Sequence, residues 1–63
     1  MKFSLKELRV RINKTQKEVA KDLNISTTTY SEWENNLGKV KLSNAQRIAD
    51  YFGVTLDDFL FTH

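Results

Sequence analysis

Helix starts recur along this chain in a form that leaves little room for any other secondary structure. Ser4-Leu5-Lys6-Glu7 is a capping box: the Ser oxygen can accept from a first-turn N–H while the Glu reaches back to the Ser backbone. Phe3 and Leu8 hold the flanking staple positions, and Leu5, Leu8 and Ile12 follow as one helical stripe. Thr15-Gln16-Lys17-Glu18 repeats the box, with Val19, Ala20 and Leu23 as a short buried face. Ser26 caps a third helix, with Ile25 and Tyr30 as its staple and Tyr30, Trp33 and Leu37 as its stripe. A fourth helix contains Ala45, Ile48, Ala49 and Phe52. Its start is ambiguous, because Ser43 and Gln46 form a box while Leu42 reads as a core residue one turn earlier. A fifth begins at Thr55, with Asp58 as box partner, Val54 and Phe59 as staple, and Leu56, Phe59 and Leu60 as apolar face.

The stops agree with the starts. Asn13 and Asn24 tolerate the left-handed conformation that ends a helix; Asn36 or Gly38 should end the third, and Gly53 the fourth. No segment alternates with period two over a useful length, so no sheet is expected. The second and third helices join through Leu23-Asn24-Ile25, which is the spacing of a helix-turn-helix. The expectation is one all-α domain over residues 1–63, with the helix-turn-helix at approximately 16–36.

Length and composition restrict what such a bundle can do. With 63 residues, no Cys and only His63 as histidine, neither disulfides nor a Cys- or His-based metal site can staple the fold. Capped helices around a tight core must do so instead, with dimerisation as a further aid. No apolar run reaches the roughly 18 residues of a membrane span, and no secretory signal is visible, so a cytoplasmic protein is expected. The absence of Gly-rich phosphate loops and internal His leaves no support for an enzyme, a cofactor or a small-molecule ligand.

Charge is unevenly placed. Residues 1–21 carry a net +5, residues 22–41 a net −1 and residues 42–63 a net −2. A basic front with an acidic back suits a protein that turns one side to a polyanion, although an ordinary solvated surface gives the same tally.

The run Thr15-Gln16-Lys17-Glu18-Val19-Ala20-Lys21-Asp22-Leu23-Asn24-Ile25-Ser26, followed by Tyr30 and Trp33-Glu34, resembles the Cro/C1-type helix-turn-helix family of phage repressors and bacterial regulators. The segment from Ile48 to Leu60 resembles the family's closing portion equally well. The resemblance implies a five-helix, lambda-repressor-like fold and sequence-specific binding of double-stranded DNA, with repression as the expected outcome. It departs from the family at Asn13, Asn24 and Asn36, which stand where Gly is common. Lys14 replaces a usual apolar residue, and Val40 a usual Pro.

Carried onto this chain, the resemblance puts the third helix in the major groove. With Tyr30, Trp33 and Leu37 inward, Thr28, Glu32 and Asn35 point outward and Thr27 and Ser31 flank them; Ser26 stands at the helix entrance. Threonine hydroxyls and methyls suit base edges and thymine methyl groups. Glu32 either accepts from cytosine N4 or pairs with a nearby cation. Gln16, Lys39 and Lys41 are the phosphate candidates, with Lys17 and Arg11 behind them. Tyr30 and Trp33 belong to the core, not to a stacking platform. Arg9 and Glu34 are expected as a structural ion pair.

A domain this small covers one short half-site, so a weak homodimer on an inverted-repeat operator is expected, with half-sites about 34 Å apart. Leu56 and Phe61 are the candidate contact residues, against the alternative that both fold onto the core. The rival function is a protein-interaction module on the same fold, such as an antitoxin-type or regulator-partner domain.

Overall fold

The computed structural model describes residues 3–60. It consists of α1 (Leu5–Arg11), α2 (Gln16–Asp22), α3 (Thr27–Asn35), one turn of 3-10 helix at Leu37–Lys39, α4 (Leu42–Phe52) and α5 (Leu56–Phe59). No strand occurs among the described residues.

The caps lie where local chemistry puts them. The Ser4 hydroxyl accepts from the Glu7 N–H at 3.1 Å, and the Glu7 carboxylate accepts from the Ser4 N–H at 2.8 Å. Thr15 and Glu18 repeat that reciprocal pair at the start of α2, with the same two distances of 3.1 and 2.8 Å. At α3 the Ser26 hydroxyl accepts from the Thr29 N–H and donates to the Thr29 hydroxyl. At α5 the Asp58 carboxylate accepts from the Thr55 N–H. These bonds satisfy N–H groups that a helix start would otherwise leave orphaned. Asn13 (φ 57°) and Asn24 (φ 60°) take the left-handed conformation, as does Gly53 (φ 70°).

Every α-helix contributes to one core. Leu5 and Leu8 come from α1, Val19 and Ala20 from α2, Tyr30 and Trp33 from α3, Ala45, Ile48 and Ala49 from α4, and Phe59 from α5. Leu23, at the C-terminal cap of α2, is buried with them. Each large side chain here contributes about 1.5–3 kcal/mol by burial. Tyr30 and Trp33 meet edge to face, with ring centroids 6.5 Å apart.

Four expectations need correction, those for the Ser43–Gln46 box, Leu42, Ile12 and Leu37. The Ser43–Gln46 box does not form: α4 begins at Leu42, its cap residue Lys41 makes no side-chain cap bond, and Gln46 donates to Asp50 one turn on. Leu42 is not a core residue but 68% exposed, while Ala45, three residues on, is the first α4 side chain to enter the core. Ile12 leaves the α1 stripe and is 42% exposed, since the helix has already ended at Arg11. Asn36 does end α3, but in extended conformation (φ −148°); its side chain accepts from the Gly38 N–H and starts the 3-10 turn. Leu37 therefore lies in that turn and not on α3, though it still packs against the core.

Candidate nucleic-acid interface

The sequence puts α3 on the surface along one face and ties the other face down. Its inward residues Tyr30 and Trp33 are buried, while Thr27, Thr28, Glu32 and Asn35 are exposed and Ser31 is half-buried. This agrees with the helical wheel, including the rejection of Tyr30 and Trp33 as stacking residues.

What fixes the orientation of α3 is a polar cluster beneath it. The Arg9 Nε donates to Glu34 Oε2 at 2.7 Å, joining α1 to α3. Arg9 also donates from Nη1 to the Lys14 carbonyl at 2.9 Å, which holds the loop before α2. The Glu34 side chain is only 5% exposed. Burial alone pushes its carboxyl up, but the hydrogen bonds from Arg9 and Gln16 outweigh that and hold it below its ordinary value. The Tyr30 hydroxyl is buried nearby, with no partner among the described residues at full hydrogen-bonding geometry. Its pKa is pushed well up by burial first, and then by its approach to the Glu34 carboxylate.

Gln16 opens α2, and its Nε2 donates to Glu34 Oε1 at 2.8 Å. A carboxylate can only accept, so this contact fixes which end of the amide faces inward. Among the described residues, the carbonyl and the second N–H of Gln16 remain for a contact outside the cluster.

Arg47 clasps the turn between α2 and α3 from α4, its Nη2 donating to the Leu23 carbonyl. Lys14, just before α2, ties the last residue of that helix to α4. Its Nζ donates to Asp22 Oδ2 at 2.5 Å, and the Tyr51 hydroxyl donates to the same oxygen at 2.6 Å. The hydrogen bond with Asp22 raises the Lys14 pKa and lowers that of Asp22. Lys14 thus replaces a lost apolar staple with a polar one. Sequence reasoning missed both Arg47 and this cluster.

The remaining candidates divide by what already occupies them. The Ser26 hydroxyl donates to Thr29 Oγ1 and accepts from the Thr29 N–H within the α3 cap. Lys39 Nζ lies 3.8 Å from Glu32 Oε2, with the two side chains 58% and 53% exposed. Lys41 is exposed at the cap of α4. The Arg11 guanidinium sits 4.6 Å over the Phe3 ring, and Lys17 is exposed. Leu56 is half-buried and packs against the core. Phe61 lies outside the described residues.

A bundle in which a capped two-helix unit presents one polar helix face is the arrangement of a DNA-binding regulator. Residues 5–59 match the helix-turn-helix family, and the chain belongs to that family, in its Cro/C1-type branch of transcription regulators. The family is one of regulators, not enzymes. The chain is 36% identical over 56 residues to the HTH-type transcriptional activator BcrR of Enterococcus faecalis, covering 89% of this chain and 28% of that protein. It is 34% identical over 58 residues to the cryptic phage CTXphi transcriptional repressor RstR of Vibrio cholerae, covering 92% of this chain and 52% of that protein. The chain thus spans about a quarter and about half of the lengths of these two relatives. No solved structure matches it significantly.

Proposed function

We propose that this chain binds double-stranded DNA by sequence, with α3 in the major groove, and thereby represses transcription in the cytoplasm, associated with the nucleoid when bound. The observation that supports this best is the split character of α3. Its inward side is fixed by Trp33, Tyr30 and the Glu34 ion pair, while Thr27, Thr28, Glu32 and Asn35 stand exposed together. Rigid backing with an exposed polar face is what direct reading of base edges requires.

Thr27, Thr28 and Ser31 face the bases in this reading. Gln16, Lys39 and Lys41 hold phosphates on either side, with Gln16 held in place by Glu34. No cofactor, metal or small-molecule ligand enters the mechanism. The bound site is an inverted repeat occupied by a weak homodimer, in which Leu56 contributes from the start of α5.

The test is site selection from random duplex DNA, followed by titration of the winning site at several salt concentrations. Affinity should fall steeply with salt, because each neutralised phosphate releases counterions. Gln16→Ala and Lys39→Ala should weaken binding to all sequences about equally. Thr28→Ala should relax preference at one or two base pairs, at a cost of about 1–3 kcal/mol. A selected motif left untouched by Thr28→Ala would place the reading face elsewhere.

A further inference from the structure

We propose that the reading face recognises thymine methyl groups and a cytosine amine rather than guanine, with Glu32 as the residue that selects the cytosine. This rests on the DNA-binding reading above and names the bases it reads.

The outward face of α3 holds no cation. From Thr27 to Asn35 the helix reads Thr-Thr-Thr-Tyr-Ser-Glu-Trp-Glu-Asn, without Lys or Arg. Paired donation to guanine O6 and N7 comes most often from Arg or Lys, so that mode of reading is closed to this helix. What stands at its exposed entrance is Thr27 and Thr28, each carrying a methyl group suited to thymine C5-methyl. The third threonine, Thr29, is half-buried and engaged with Ser26.

Glu32 follows Thr28 by one turn, about 6 Å along the axis, and so shares its face. Glu34 is buried in the ion pair, which leaves Glu32 as the one carboxylate α3 presents outward. A carboxylate between two rows of phosphates is unfavourable unless a donor meets it. Cytosine N4 is a donor with no acceptor beside it, whereas adenine N6 lies next to the acceptor N7 and thymine and guanine present acceptors, so the residue rewards cytosine. Its present partner does not prevent this. Lys39 approaches only to 3.8 Å, with both side chains more than half exposed, and such pairs are weak. When a cytosine amine takes over the carboxylate, Lys39 is released to a phosphate.

The experiment selects sites from random duplexes with the wild-type chain and with Glu32→Gln, an exposed substitution that leaves the fold unaltered. The wild type should select a constant cytosine near one or more thymines. Glu32→Gln should shift that position towards adenine, whose N6 and N7 an amide reads, changing relative affinity by about tenfold. Replacing a selected thymine by deoxyuridine removes only the methyl group. It should weaken the wild type several-fold, and weaken Thr28→Ser or Thr27→Ser much less. If Glu32→Gln selects the same bases and merely binds every sequence more tightly, the carboxylate is only repulsive and the proposal falls. A wild-type motif without a constant C·G pair, and indifferent to deoxyuridine, overturns it equally. If neither protein selects any sequence, the proposal falls together with the DNA-binding reading; a shared, unaltered motif fells the proposal alone.

Discussion

Glu34 shows how a single side chain can couple stability to the placement of Gln16. It accepts from Arg9 on α1 and from Gln16 at the start of α2 while its own backbone belongs to α3. Removing one partner of a buried pair leaves a charge without compensation. Arg9→Met should therefore destabilise the fold by up to about 3–5 kcal/mol in denaturant titration. Adding Glu34→Leu should recover much of that loss, since an apolar pair needs no compensation. Small and additive effects would show two independent surface groups instead. The same carboxylate gives a pH dependence. Its folded-state pKa is lowered, so its stabilisation is present above the ordinary carboxylate value and is lost as pH falls through the folded one. The melting temperature should drop in acid, and drop less for the Arg9→Met, Glu34→Leu double variant. A residual acid slope will persist there, because Glu7, Glu18 and Asp22 are also lowered by their hydrogen bonds.

Among the elements, α5 depends most on its surroundings. It has four residues, far short of what holds a helix together in isolation. Phe59, fully buried, anchors it, and the Phe3 N–H donates to the Asp58 carbonyl from the other end of the described chain. Phe59→Ala should cost about 3–5 kcal/mol, enough to unfold much of a domain this small, which circular dichroism would register. The turn between α2 and α3 answers to backbone chemistry. Asn24→Gly should be nearly neutral there, while Asn24→Ala should cost about 1–2 kcal/mol by thermal melting, for want of a residue that accepts positive φ. Caps and turns of this kind were legible in the sequence because their causes lie within three or four residues. Leu42 was misread because its exposure depends on where α4 docks, not on its neighbours in the chain. Asn36 was half legible: Asn ends a helix either by turning left-handed or by using its side chain, and the sequence does not distinguish the two. Arg47 to Leu23, and Lys14 to Asp22 and Tyr51, join positions eight to 37 residues apart with no period to betray them.

For the molecule as a whole, charge and assembly are the open dimensions. The basic first third should steer the chain to DNA and make association fast at low salt. Reducing that charge at exposed Lys6 and Lys17 by Lys→Gln should slow association and flatten its salt dependence in stopped-flow measurements, without altering the selected motif. The dimer proposal is tested by sedimentation of the protein with whole and half operators. Two chains on the whole site, bound cooperatively, and a motif with two-fold symmetry are the expected result; one chain on an asymmetric site would exclude it. Leu56 packs partly against the core, so Leu56→Glu must be judged by its melting curve as well as by lost cooperativity.

The division of α3 into a fastened side and a presented side has an evolutionary corollary. Trp33, Tyr30 and Glu34 carry the folding role, and none of them is among the residues displayed outward. Thr27, Thr28 and Asn35 can therefore be exchanged with little effect on the bundle, and Glu32 at the cost of one weak pair. With α3 reading bases as proposed, single substitutions on this face would change the operator while the bundle stays folded. The same division would let binding specificity be rewritten without redesigning the protein beneath it.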